Sequence, residues 1–133
     1  MRSAPQFFRA LADRTRLRIV NLLARGSLCV CDIQRILAQP QSSVSRHLAL
    51  LKSAGLTVDR RDGMRTFYAL AASDSRLTRA VLGAIRAHLS AEDAYRADLD
   101  ELTRLRARGE CHEEPKGRGA VQRSAPAESR TEA

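Results

Sequence analysis

Apolar residues in the first half of the chain recur at three- and four-residue steps, the spacing of one buried helix face. This pattern predicts a helix over about 14–24, with Asp13 placed as its N-cap. A brief extended piece at 28–30 follows, and a second, short helix is predicted over about 32–38. The first half of the chain is therefore expected to be helical, with one short extended segment.

A turn at Gln39-Pro40 joins this short helix to a longer one. Ser42 or Ser43 can cap the longer helix, in which Val44 and Leu48 lie on one face. Two short helices joined by a tight turn are typical of a helix-turn-helix.

A two-residue period replaces helical spacing after residue 55. Residues 56–60 and 64–70 alternate, and Asp62-Gly63 between them predicts a hairpin with a type I′ turn. The hairpin is interpreted as a wing. The predicted fold class is mainly α with a β-hairpin wing (α+β), a winged helix-turn-helix.

A long apolar stripe marks the helix that Ser73 is predicted to cap, and residues 90–93 resemble a capping box that opens a further helix. The stripe consists of Leu77, Val81, Ile85 and Leu89. A domain this small could scarcely cover it alone, so we expect a homodimer that buries it together with Phe7 and Phe8. The alternative is that these helices complete a monomeric core.

Charge and composition divide the chain at residue 109. Residues 109–133 are rich in Gly, Pro, Ser, Ala and charge, so we expect a disordered tail after a folded domain at 1–108. The chain carries a formal charge of +8, and the tail has five acidic and four basic residues, which leaves +9 on residues 1–108. A compact basic domain favours a polyanionic partner such as double-stranded DNA.

No stretch approaches the roughly 20 apolar residues that span a bilayer, and the first five residues lack the apolar run of a secretory signal. We therefore expect a cytoplasmic protein without a membrane partner. Three cysteines are too few for a disulfide framework, which favours thiol chemistry or plain packing.

The polar face of the longer helix carries the candidate DNA contacts. Short hydroxyls and amides suit phosphate oxygens and base edges, and an Arg can donate two hydrogen bonds to a guanine. The candidates on this helix are Gln41, Ser42, Ser43, Ser45, Arg46 and His47. Arg60, Arg61 and Arg65 flank the wing tip, where they are expected to neutralise phosphates. The alternative is a solvated polar surface.

Two cysteines, Cys29 and Cys31, lie where the extended piece enters the short helix. If Cys29 ends the extended piece and Cys31 is the N-cap, both sulfurs can approach one ion, and the helix dipole favours thiolates. Thiolates select soft ions, which leaves arsenite, antimonite, cadmium, lead, zinc and copper(I). The alternatives are apolar packing of the pair and, for Cys111, an incidental exposed thiol rather than a third ligand.

Four segments carry a family resemblance: LADRTRLRI at 11–19, LCVCDI at 28–33, SRHLALL at 45–51 and AGL at 54–56. Together they resemble the ArsR/SmtB family of metal-sensing repressors over about residues 5–107. The resemblance implies a dimeric winged-helix repressor that binds a palindromic operator and releases it when metal binds. It also implies an inducer site for trivalent arsenic or antimony at Cys29 and Cys31, as in the arsenite-sensing branch.

The chain departs from that branch at Gln34, where a third Cys is often found. Two thiolates with water could suffice, or Cys111 could complete the site. Cadmium and lead sensors share a similar segment but add cysteines near the N-terminus, and this chain has none before Cys29. The zinc-sensing pattern is not matched, because Asp74 is followed by Arg76 at the would-be ligand position.

The leading hypothesis is a metalloid-responsive repressor with no obligatory cofactor and with Cd(II) or Pb(II) as alternative inducers. A second possibility is a thiol redox switch, in which Cys29 and Cys31, or Cys111, are oxidised. An enzyme is not expected, because the sequence shows no constellation of nucleophile and base. A nucleotide cofactor is not expected either, because there is no Gly-rich phosphate loop.

Overall fold

The computed structural model describes residues 3–114. The helices are α1 (Ala4–Leu11), α2 (Arg14–Leu23), α3 (Val30–Leu37), α4 (Gln41–Ser53), α5 (Arg76–His88) and α6 (Asp93–Ala107), with a 3-10 turn at Leu89–Ala91. The strands are β1 (Leu28–Cys29), β2 (Thr57–Asp62) and β3 (Arg65–Leu70). This order confirms the winged helix-turn-helix. None of these helices has the combination of length and hydropathy that crossing a bilayer requires.

Helix α2 begins as the sequence predicts. The Asp13 carboxylate accepts a hydrogen bond from the Arg16 backbone N–H at 3.0 Å, which satisfies one of the helix's free donors. The opposite end of α2 buries Ile19, Val20 and Leu22 completely in the core. Helix α2 is therefore the central support against which the helix-turn-helix packs.

Helix α3 begins two residues earlier than predicted. Its N-cap is Cys29 rather than Cys31, because the Cys29 sulfur accepts a hydrogen bond from the Cys31 backbone N–H at 3.3 Å. At its other end Ala38 adopts a left-handed conformation with φ of 56°, which turns the chain toward α4. The N-cap of α4 is Pro40 without a side-chain bond, so the predicted caps Ser42 and Ser43 lie inside the helix.

The three strands form an antiparallel sheet in the order β1-β3-β2. Asp62 pairs with Arg65, so the hairpin turn is centred on Gly63 and Met64 rather than on Asp62 and Gly63. Only Gly63 of these residues has a positive φ, at 63°, which is the pattern of a type II′ turn and not of the predicted type I′. Strand β1 pairs Cys29 with Phe67, so the cysteine segment is tied to the wing.

Helix α5 is poorly covered. Its cap is Ser75 rather than the predicted Ser73, and Thr78 is its one buried residue. Leu77 is 39% exposed, and Phe8 of α1 is 46% exposed. The predicted capping box at 90–93 is a 3-10 turn, after which α6 starts without a side-chain cap. Apolar side chains thus stay exposed on both α1 and α5, although Val81 and Ile85 of the predicted stripe are partly buried against the core.

Helix α6 returns to the core and carries the chain back to the cysteine segment. Leu102 and Leu105 are buried, and Asp98 forms a two-armed ion pair with Arg18 at 2.8 and 2.9 Å. The hydrogen bond from Arg18 to Asp98 raises the pKa of the Arg18 guanidinium further. Residues 110–114 then pack on the domain, whereas the predicted tail began at 109. The remaining part of that tail, 115–133, lies outside the described residues.

Candidate thiol centre and nucleic-acid interface

The predicted sulfur pair is brought together at the junction of β1 and α3. Cys29 is 1% exposed and Cys31 is half-buried, with their Cα atoms 5.2 Å apart. The structure joins the two sulfur atoms as a disulfide. Because Cys29 is the last residue of a strand and Cys31 lies in the first turn of a helix, two side chains that would diverge on a helix converge here.

His112 is the neighbour of this pair that sequence reasoning did not assign as a ligand. Its Nδ1 lies 3.3 Å from the Cys31 sulfur. One ligand atom from each of Cys29, Cys31 and His112 lies within 4.8 Å of the other two. The contact between His112 and Cys31 joins residues 81 positions apart, so no local pattern predicts it. The only hint in the sequence is that His112 directly follows Cys111.

A buried carboxylate holds His112 in this position. Asp32 has no exposed surface, and its two oxygens accept hydrogen bonds from the His112 backbone N–H at 2.8 Å and from the ring Nδ1 at 3.1 Å. Arg35 lies 3.9 Å from the same carboxylate. The Asp32 carboxylate thus fixes both the main chain and the ring of the histidine.

Cys111 does not join the group of ligand atoms within 4.8 Å. Its side chain is half-buried and packs against the main hydrophobic core. Burial, together with the nearby charge of Asp32, raises the pKa of the Cys111 thiol. The sequence-predicted third ligand therefore lies beside the centre, and its predicted role as a ligand stays a prediction.

An open cleft of about 250 Å³ connects the cysteines with the predicted DNA-reading surface. The residues that line it include Cys29 and Cys31, Gln41 and Ser45 of α4, and Arg65 of β3. Gln34 also lines the cleft. A change in the positions of the sulfurs thus occurs directly beside residues of both α4 and the wing.

The N-terminal half of α4 presents most of its predicted contacts to solvent. Gln41, Ser42, Ser45 and Arg46 are exposed, whereas Val44 and Leu48 are buried as expected. The Ser43 hydroxyl is less accessible and donates to the Gln39 side-chain oxygen at 3.0 Å.

His47 is turned back toward α2 rather than outward. Its Nδ1 lies 3.2 Å from an Arg16 guanidinium nitrogen and 3.7 Å from the Asp13 carboxylate, and its side chain is 14% exposed. Desolvation lowers the pKa of His47, with Asp13 opposing this shift and Arg16 and Arg46 adding to it. His47 thus connects the inner face of α4 with the start of α2.

The three wing arginines are not equivalent. Arg61 and Arg65 are exposed at the wing tip. Arg60 forms an ion pair with Glu114 at 3.3 Å, and the Glu114 side chain is only 6% exposed. The guanidinium of Arg60 is thus already partly neutralised within the chain.

A helix-turn-helix followed by an antiparallel hairpin defines the protein as a winged helix-turn-helix protein, here with a thiol centre at the first helix of the motif. Residues 13–57 match the family model described as "Bacterial regulatory protein, arsR family". The chain belongs to the ArsR family, a family of transcriptional regulators. The resemblance read from the four sequence segments is therefore confirmed.

Two similar curated proteins are arsenical resistance operon repressors. That of Bacillus subtilis strain 168 is 41% identical over 71 residues, which are 53% of this chain and 68% of the relative. That of Escherichia coli strain K12 is 53% identical over 66 residues, 49% of this chain and 56% of the relative. The matched segment thus spans about half the length of the latter protein.

Among solved structures, the homodimeric winged helix-turn-helix DNA-binding domain of Mb0332 from Mycobacterium bovis has a similar fold. The TM-score is 0.54 at 34% identity, and the match covers 67% of this chain and 83% of that one. Mb0332 is itself described as a possible ArsR-family transcriptional regulator.

Proposed function

We propose that the protein is a homodimeric transcriptional repressor that releases operator DNA when trivalent arsenic or antimony binds Cys29 and Cys31. The observation that carries the proposal is the cleft of about 250 Å³ that the two cysteines share with Gln41, Ser45 and Arg65. The names of the similar arsenical resistance repressors support the same ligand class.

The α4 surface is the DNA-reading part of this proposal. The exposed Arg46 side chain would reach base edges, and the short side chains at 41–43 and 45 let the helix approach the groove closely. Arg61 and Arg65 would contact phosphates and so set position rather than sequence preference.

Dimerisation is supported by the apolar side chains that α1 and α5 leave exposed. Leu77 and Phe8 are both more than one-third exposed in the single chain, although the stripe recurs at helical spacing along all of α5. Covering it with the same face of a second copy buries apolar surface on both chains at once. The homodimeric state of the Mb0332 domain supports a dimer as such.

Ligation would act on DNA binding through the start of α3. Arsenious acid and two thiols form a dithioarsenite and two molecules of water, which requires both sulfurs to take positions around one arsenic atom. Cys29 is the N-cap of α3, and α3 packs on α4. Movement of the sulfurs would therefore shift α4, the DNA-reading helix, relative to the rest of the domain. Cd(II) or Pb(II) is the alternative inducer at the same sulfurs.

A thiol redox switch is the second candidate, and the disulfide between Cys29 and Cys31 favours it. In that case a peroxide removes two electrons and two protons from the thiol pair and is itself reduced to water. The same segment of α3 would then respond to oxidant instead of metalloid.

Operator binding by fluorescence anisotropy separates these functions. In a phosphine reductant, arsenite should release DNA from the wild type and not from Cys29→Ser or Cys31→Ser, while Cys111→Ser serves as the matched cysteine control. If saturating arsenite leaves operator affinity unchanged in the reduced wild type, the metalloid role is wrong. Release by peroxide that a reductant reverses would assign the redox switch instead.

A further inference from the structure

We propose that His112 is the third ligand of the thiol centre and that the reduced chain binds a borderline divalent cation, such as Zn²⁺ or Cd²⁺, through two sulfurs and one imidazole nitrogen. The inference rests on the proposed function in one respect, since it requires Cys29 and Cys31 to be available as metal ligands. It assigns the nitrogen donor to a residue that follows α6, at the far end of the described chain.

The distances among the three donors suit a metal ion. In a tetrahedral zinc site with ordinary Zn–S and Zn–N bonds, neighbouring ligand atoms are about 3.5–3.8 Å apart. One ligand atom from each of Cys29, Cys31 and His112 lies within 4.8 Å of the other two. The imidazole ring also contacts Cys31, since its Nδ1 lies 3.3 Å from the sulfur. Once the disulfide is reduced, side-chain rotations that separate the two sulfurs and turn Nε2 toward them would complete this part of a coordination shell.

Asp32 is the positioning residue for the histidine. Ring Nδ1 donates to its buried carboxylate, and in that tautomer the other ring nitrogen carries the lone pair that a cation needs. Metal-ligating histidines commonly donate their second nitrogen to a carboxylate in this way, which fixes the ring and makes it more basic. The additional bond from the His112 backbone N–H to Asp32 holds the residue in place before any ion binds.

The chain on both sides of His112 is also anchored. The contacts are Arg35 with Glu110 at 3.3 Å, Ser27 with Glu114 at 2.8 Å, and Arg60 with Glu114 at 3.3 Å. Because these contacts already order residues 110–114, recruiting the imidazole costs little conformational entropy. A histidine at a loose chain end would lack this advantage.

The donor set predicts a difference between two classes of ligand. Zn²⁺ binds readily to thiolate and imidazole together, and imidazole is a weaker ligand for trivalent arsenic, which two thiolates and a hydroxide satisfy. Loss of His112 should therefore weaken binding of divalent cations while the arsenite response stays. Loss of the adjacent Cys111 should change neither.

Co²⁺ is a suitable probe, because its thiolate charge-transfer absorption reports sulfur ligation and its ligand-field bands report coordination geometry. We expect the reduced full-length protein to develop both. His112→Ala should lower the affinity for Co²⁺ at least about tenfold and shift the ligand-field bands, whereas Cys111→Ser should remain within about twofold of the wild type. Circular dichroism of the metal-free variants checks that both remain folded.

Equal Co²⁺ affinity in His112→Ala and the wild type, or absence of the thiolate band from the wild type, would overturn the inference. A loss in Cys111→Ser alone would assign the third ligand to Cys111 and equally overturn it. Arsenite-driven operator release, measured on the same variants, separates the two proposals. Retained release in His112→Ala leaves the proposed function intact, and no release in the wild type removes that function whatever Co²⁺ does.

Discussion

The two helices of the helix-turn-helix begin in opposite environments. The start of α3 is largely covered, with Asp32 fully buried, Cys29 nearly so and His112 hydrogen-bonded to Asp32. The start of α4 is open, with Gln41, Ser42 and Ser45 exposed. The two regions therefore differ in what completes them. Contacts within the chain position the cysteines at the start of α3, whereas the polar face of α4 is left free for a partner.

The largest effect on stability is expected from Asp32→Ala in the metal-free chain. The substitution removes two hydrogen bonds that His112 donates to a buried carboxylate, so it should lower the free energy of unfolding by about 2–4 kcal/mol. Denaturant unfolding measures this loss. The exposed Asp100 on α6 is the control, and Asp100→Ala should stay within about 0.5 kcal/mol of the wild type. Equal losses in the two variants would mean that the hydrogen bonds of Asp32 at the start of α3 do not stabilise the fold.

Arg46→Ala should behave in the opposite way. The exposed side chain contributes little to folding, so stability should change by less than about 0.5 kcal/mol. Operator affinity should fall by about 1–3 kcal/mol, with a smaller loss on random DNA, if this arginine contacts a base edge. Anisotropy titrations on both DNAs supply the measurement. An equal loss of affinity on operator and random DNA would mean that Arg46 contacts a phosphate and not a base edge.

A smaller effect is expected at the wing. Arg65→Ala should weaken binding to operator and random DNA alike and lower the salt slope by about one unit. Arg60→Ala is the matched comparison, and its effect should be smaller because Arg60 already pairs with Glu114. A variant Arg65→Ala that keeps the wild-type salt dependence contradicts the assignment.

The smallest effect concerns pH and His47. Its folded-state pKa lies below the unfolded value of about 6.5, so the neutral ring is favoured by folding and the associated stability is present above that pH. This stability is lost as the pH falls from about 6.5 through the folded pKa. Unfolding of His47→Gln should show a shallower loss than the wild type over this range. An unchanged pH profile would mean that His47 does not contribute. Asp13, Arg16 and Arg46 face the ring and remain in both proteins.

Local signals were sufficient for most of the fold. Asp13 caps α2 as predicted, and the change from helical spacing to alternation separates α4 from the wing. The errors are also local. Cysteine is a weak capping residue, so the start of α3 at Val30 was missed, and Asp-Gly favours a type I′ turn, whereas the register centres the turn one residue later.

The candidate site was only partly readable from sequence. Cys29 and Cys31 are neighbours in the chain, so their convergence follows from the strand-to-helix junction between them. The approach of His112 to Cys31 depends on the return of the chain through α6, and no local pattern encodes a contact over 81 positions. The pairing of Arg60 with Glu114 was missed for the same reason.

The most direct test of the account is a reciprocal measurement on the reduced wild type. Operator affinity is measured with and without saturating arsenite, and arsenite affinity is measured with and without saturating operator. Thermodynamic linkage requires the two ratios to be equal, and we expect each binding partner to weaken the other by the same factor, about 5- to 150-fold. Operator affinity that does not change when arsenite occupies Cys29 and Cys31 would contradict the account.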